Sequence, residues 1–134
     1  MMKRVLVVDD DPDILESLSA LLDGYYELCL ARDGAEALEA LDGGFAPDAI
    51  ILDLMMPILD GAELMRQLEA RGVRIPVLLS SAHSDLDRCA RDLRADDYIM
   101  KPFGFEALQL KLDRLLNPWS AEPGRNPRGP CSEP

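Results

Sequence analysis

Val5-Leu6-Val7-Val8-Asp9-Asp10-Asp11 is a run of four aliphatic residues that ends in three aspartates. A short continuous stretch of Val and Leu is how a strand buried on both faces of a parallel sheet reads. Acids at its carboxyl end fall in the crevice where open α/β sheets bind ligands. Clustered carboxylates repel one another and do not all ionise cheaply without a cation. A hard divalent ion with oxygen ligands is the natural remedy, and Mg2+ is the usual choice when phosphate is also handled.

The same grammar repeats along the chain. Strands are predicted at Val5–Val8, Tyr26–Ala31, Ala49–Leu52, Val77–Ser80 and Tyr98–Met100. Between them the apolar residues recur at helical spacing. Ile14, Leu15, Leu18, Leu21 and Leu22 form one stripe, with Asp11 as N-cap, Pro12 at the first helical position and Gly24 past the end. Asp33–Leu41 is a short helix closed by Gly43-Gly44. Leu64, Leu68 and a terminal Gly72 mark a third, and Ser84–Arg94 a fourth with Leu86 and Leu93 inward. Leu108, Leu112 and Leu115 mark a fifth. Strict alternation of strand and helix implies a doubly wound α/β fold: a five-stranded parallel sheet with helices on both faces. The flavodoxin-like strand order 2-1-3-4-5 makes the first and third strands neighbours.

The 134 residues suit one domain, and 48% hydrophobic content supplies a core. Net charge is −11, from 14 basic and 25 acidic side chains. Such a balance argues against direct nucleic-acid binding, which needs clustered Lys and Arg, and against an anionic membrane surface. No stretch has the length of a membrane span or signal sequence. Cys29, Cys89 and Cys131 are too scattered for a disulfide framework or a zinc site, which suits a reducing, cytoplasmic setting. Residues 1–117 are expected to form the domain. Residues 118–134 hold five of the ten prolines and balanced charge, and are expected to be a disordered tail.

Four chemically loaded positions fall at predicted strand ends: Asp9 and Asp10, then Asp53, then Ser80-Ser81-Ala82, then Lys101. In one parallel sheet these ends converge. Asp10 directly, and Asp9 through water, would hold Mg2+. Asp53 would be a further ligand and a nucleophile, because carboxylates form aspartyl-phosphate intermediates. Lys101 would neutralise charge on a transferred phosphoryl group, and the Ser81 hydroxyl would donate a hydrogen bond to it. Taken singly, each has an ordinary reading: a solvated turn, a strand-end cap, a loop hydroxyl, a surface lysine. Their joint placement carries the argument.

With Val-Val-Asp-Asp-Asp, Asp53-Leu54-Met55-Met56-Pro57, Asp60-Gly61, Ser80-Ser81-Ala82 and Asp96-Asp97-Tyr98-Ile99-Met100-Lys101-Pro102-Phe103, the chain resembles a response-regulator receiver domain of bacterial two-component signalling, of the chemotaxis-regulator type, over about residues 3–116. The resemblance implies that Asp53 accepts a phosphoryl group from the phosphohistidine of a sensor histidine kinase or a phosphotransfer protein. It implies Mg2+ on the Asp10 and Asp53 side chains and the Met55 backbone carbonyl, with Asp9 in the outer shell. It makes Ser81 and Tyr98 the switch pair and suggests a cis bond between Lys101 and Pro102. The changed surface would be that of the fourth helix, fifth strand and fifth helix. That surface would bind a downstream protein, support a phosphorylation-dependent homodimer, or serve a relay. By the same resemblance, Met55 and His83 flank the approach of water to the phosphoryl group. Arg94 departs from the family, which commonly has Gly there to close the fourth helix.

Two rivals fit less well. A Mg2+-dependent phosphohydrolase using an aspartyl phosphate commonly needs a second acid two residues after its nucleophile, and position 55 is Met. An interaction module indifferent to phosphorylation has no use for the full set of Asp9, Asp10, Asp53, Ser81 and Lys101. A dinucleotide enzyme is excluded because no GxGxxG follows the first strand. The chain is therefore expected to be a signalling switch whose only chemistry is self-phosphorylation from a donor and autodephosphorylation.

Overall fold

The computed structural model describes residues 2–56 and 59–117; the expected tail, with Trp119 and Cys131, lies outside the described residues. Five strands alternate with five helices: β1 Arg4–Val8, α1 Pro12–Leu22, β2 Glu27–Ala31, α2 Gly34–Asp42, β3 Ala49–Asp53, α3 Gly61–Ala70, β4 Val77–Ser81, α4 Leu86–Leu93, β5 Asp97–Met100 and α5 Phe105–Leu116. All strand pairs are parallel, in the order β2-β1-β3-β4-β5. The expected doubly wound architecture is the one observed.

Alternation along the strands sorts the core into two layers, because successive side chains point to opposite faces. Val5, Val7, Ala49, Ile51, Leu78 and Ile99 pack with Leu15, Leu18 and Leu22 of α1 and Leu108, Leu112 and Leu116 of α5. Leu6, Val8, Ile50, Leu52, Val77 and Leu79 pack with Ala37 of α2, Leu64 and Leu68 of α3, and Leu86 and Ala90 of α4. Each fully buried Leu or Val contributes about 1.5–3 kcal/mol, so the central strands anchor the site at their ends.

Helix limits follow capping. The Asp11 side chain accepts from the Asp13 N–H, Asp33 from Glu36 and Asp60 from Glu63. Asp33 is thus the N-cap of α2 and not its first helical residue. One apolar assignment is corrected. Leu21 is 43% exposed. It sits at the margin of the stripe, whose centre is the Leu18–Leu22 row. In α5 the buried i, i+4, i+8 row runs Leu108, Leu112, Leu116, and Leu115 lies partly buried beside it. The fourth helix starts at Leu86, two residues later than Ser84. Tyr26 is buried but precedes β2; its N–H donates to the Leu22 carbonyl.

At the amino edge of the sheet two acids do structural work. The Asp48 carboxylate accepts from the Arg4 N–H and that of Asp96 from the Val77 N–H, each at 2.8 Å. No helix among the described residues is long and apolar enough to cross a membrane.

Candidate functional site

The sheet register brings the strand ends together. Asp53 is the last residue of β3 and pairs with Ser80 of β4; Ser81 pairs with Met100 of β5, one residue before Lys101. The Lys101 N–H donates to the Ser81 carbonyl at 2.9 Å, and the Asp9 N–H to the Ala31 carbonyl at 3.1 Å. Main-chain bonds therefore hold the site residues, and all four predicted strand ends meet.

Carboxylate oxygens of Asp9, Asp10 and Asp53 lie within 4.8 Å of one another. Asp9 and Asp53 are 3% and 4% exposed, whereas Asp10 is open to solvent. Lys101 Nζ sits 2.7 Å from Asp9 Oδ2 and 3.6 Å from Asp53 Oδ1. The Asp11 N–H donates to Asp9 Oδ1 at 2.9 Å, and the Met55 N–H to Asp53 Oδ1 at 3.3 Å. Asp9 is thus already engaged by a lysine and a backbone amide. That leaves Asp10 and Asp53 as the carboxylates more available to a cation.

The electrostatics carry the mark of crowding. Burial, and then the charge of Asp9, push the Asp53 carboxyl up to about 6, against the opposing pull of Lys101 and the Met55 N–H. Burial opposes the charge on Lys101, but its hydrogen bond to Asp9 and the charges of Asp53 and Asp9 outweigh that and hold the ammonium above its ordinary value. Three carboxylates against one ammonium leave an excess of negative charge facing solvent. A hard divalent cation fits this donor set.

Ser81 is buried, and its Oγ accepts the His83 N–H at 3.0 Å. His83 is exposed, and its Nδ1 accepts the Asp85 N–H at 3.0 Å, so it shapes the turn into α4. Met55 is 60% exposed at the mouth of the site. The peptide bond between Lys101 and Pro102 is cis, as the resemblance suggested. Tyr98 is 38% exposed, and Lys111 Nζ lies 5.7 Å from its ring centre while bonding Asp97 Oδ1 at 3.0 Å. In the β4–β5 register Tyr98 pairs with Leu79. Tyr98 and Ser81 therefore lie on the α4 side of the sheet, two residues apart along adjacent strands.

The sequence motifs include Gly61 without the steric reason for it, and Gly34 escaped sequence reasoning. A Cβ on Gly61 would sit 2.6 Å from the Asp53 carbonyl oxygen and 2.9 Å from Leu54 Cα. A Cβ on Gly34 would sit 2.7 Å from the carbonyl oxygen and Cδ2 of Leu59. Both contacts are tertiary and leave no local signal beyond the glycine itself.

Residues 5–113 match the family model described as the response regulator receiver domain. The chain is 42% identical over 124 residues to the response regulator MprA of Mycobacterium sp. (strain KMS), covering 90% of this chain and 54% of that protein. It is 44% identical over 119 residues to MprA of Mycobacterium ulcerans, covering 87% and 51%. The chain thus spans about half the length of the curated relatives it matches. Among solved structures, the chemotaxis response regulator CheY4 of Vibrio cholerae superposes with a TM-score of 0.77 at 31% identity, covering 87% of this chain and 100% of that one. The BeF3-activated DrrB receiver domain superposes at 0.74 with 32% identity, covering 87% and 98%.

Proposed function

The chain belongs to the response regulator receiver family of two-component systems, and from that premise we propose that it is a switch worked by phosphorylation of Asp53. The observation that carries this reading is the cluster of Asp9, Asp10 and Asp53 with Lys101 bridging two of them. Asp10, Asp53 and the Met55 carbonyl would hold Mg2+, with Asp9 behind them and already committed to Lys101. When bound, the ion would shield the charge of the incoming phosphoryl group and favour the ionised, nucleophilic form of Asp53.

The residues divide the remaining work. An Asp53 carboxylate oxygen attacks the phosphorus of a phosphohistidine, and the phosphorus–nitrogen bond breaks with its electron pair going to the imidazole. Lys101, 3.6 Å from Asp53, moves its charge toward the new phosphoryl oxygens. Ser81 supplies a hydroxyl donor, for which its hydrogen must turn toward the phosphoryl group while its oxygen keeps the His83 N–H. That shift favours reorientation of Tyr98 on the adjacent strand and changes the surface of α4, β5 and α5. The donor would be a sensor kinase or phosphotransfer protein, and the reader a downstream protein or a second copy, all in the cytoplasm. Water attack on the aspartyl phosphate past Met55 and His83 resets the switch.

The test is transfer from a labelled small phosphodonor. Label should enter the parent protein with Mg2+, enter poorly in EDTA, and be absent from Asp53→Asn. Equal labelling of parent and variant would overturn the assignment.

A further inference from the structure

Gly34 opens α2, where alanine would serve a helix better by a few tenths of a kcal/mol to about 1 kcal/mol. Its φ is not positive, so the backbone does not demand glycine. Space does. Gly34 is buried, its N–H donates to the Leu59 carbonyl at 3.2 Å, and a Cβ there would meet that oxygen and Cδ2 at 2.7 Å and Cγ at 2.8 Å. Leu59 belongs to the loop that leaves Asp53, and it packs on the core layer beneath α2 and α3. Two residues on, the Gly61 N–H donates to the Leu54 carbonyl at 3.1 Å. The far end of the loop that carries Met55 is thus held against α2 at Leu59 and bonded back to the loop's start at Leu54.

We propose that Gly34 is a positioning residue for the metal and phosphoryl site, acting through Leu59 on the Asp53–Gly61 loop. This inference rests on the reading that Asp53 and the Met55 carbonyl bind Mg2+. A methyl group at position 34 must push Leu59 outward, because one of the opposing atoms is a backbone oxygen that no rotamer change removes. Through Asp60 and the Gly61 bond to the Leu54 carbonyl, that shift moves the Met55 carbonyl and N–H off their settled positions, in the way that disturbing the groups behind a metal's ligands weakens its affinity.

The experiment compares the full chain with Gly34→Ala and Gly104→Ala, using Mg2+ as the probe. Gly104 caps α5, and a Cβ there meets nothing within 4 Å. Mg2+ affinity is read by calorimetry, and denaturant midpoints are read with and without Mg2+. Gly34→Ala should weaken Mg2+ binding on the order of tenfold and shrink the Mg2+-induced gain in midpoint. Labelling by a small phosphodonor should need more Mg2+ yet reach the parent's extent at saturation. Gly104→Ala should leave Mg2+ affinity at the parent's value. If Gly34→Ala lowers the midpoint equally with and without Mg2+ while affinity holds, the residue is structural only and the proposal is overturned. If the parent itself binds no Mg2+, the underlying reading fails instead.

Discussion

At the scale of single residues, the site is a balance between Asp53 and Lys101. Asp53 is held at about 6, above the ordinary carboxylate value, by burial and by Asp9. A folded-state value above the unfolded one means that the stabilising contribution is present at low pH. It is lost as pH rises from about 4 through about 6, by up to about 3 kcal/mol. Stability of the parent relative to Asp53→Asn should therefore fall across that window in EDTA and fall less with saturating Mg2+. Denaturant titrations at several pH values read this, and a flat difference would show that Asp53 is not strained by its neighbours. Lys101 makes the opposite case. Lys101→Met leaves Asp9 and Asp53 buried without their counter-charge and should cost about 3 kcal/mol at neutral pH, the lower end for a broken buried pair because Lys101 keeps some solvent access. An unchanged denaturant midpoint would mean that water already screens the two acids.

At the scale of elements, three helices end in the same way. α2, α3 and α4 each close with a residue whose N–H reaches back three positions and a following N–H that reaches back five, through Gly44, Gly72 and Arg94 respectively. Gly44 and Gly72 have φ of 104° and 73°, and Arg94 has 61°. Arg94 therefore adopts the left-handed conformation that glycine takes without steric cost. Arg94→Gly should stabilise the protein by about 1 kcal/mol, read as a raised thermal midpoint. A lower midpoint would mean that the arginine side chain contributes more than its backbone costs. Much at this scale was legible beforehand. Asp11, Pro12, Gly44 and Gly72 act locally, and local chemistry leaves a local mark. The misplaced residues sat where local marks are weak. Leu21 lies at a stripe margin, where packing of neighbouring helices decides burial. Ser84 and Asp85 precede α4 in a turn shaped by His83 accepting from the Asp85 N–H, which helical spacing does not report.

At the scale of the whole molecule, the parallel sheet turns four distant positions into one site. Asp9, Asp10, Asp53 and Lys101 were legible as a group because strand ends in such a sheet must converge. The direct clasp of Lys101 on Asp9, and the glycine contacts behind the Asp53 loop, were not. They depend on side-chain length and helix placement rather than on order along the chain. If Ser81 and Tyr98 transmit the change, phosphorylation should shift the NMR resonances of Tyr98, Met100 and Lys111 together with Ser81. Sedimentation under the same conditions reports whether a dimer forms. Unchanged resonances on that face would break the link between site and surface. The central claim is that Asp53 alone carries the phosphoryl group. Borohydride reduces an acyl phosphate to an alcohol, so aspartyl phosphate becomes homoserine and the modified position can be read by peptide mass spectrometry. After treatment with a small phosphodonor and Mg2+, homoserine should appear at position 53 and nowhere else; homoserine at position 9 or 10, or none at all, would contradict the account.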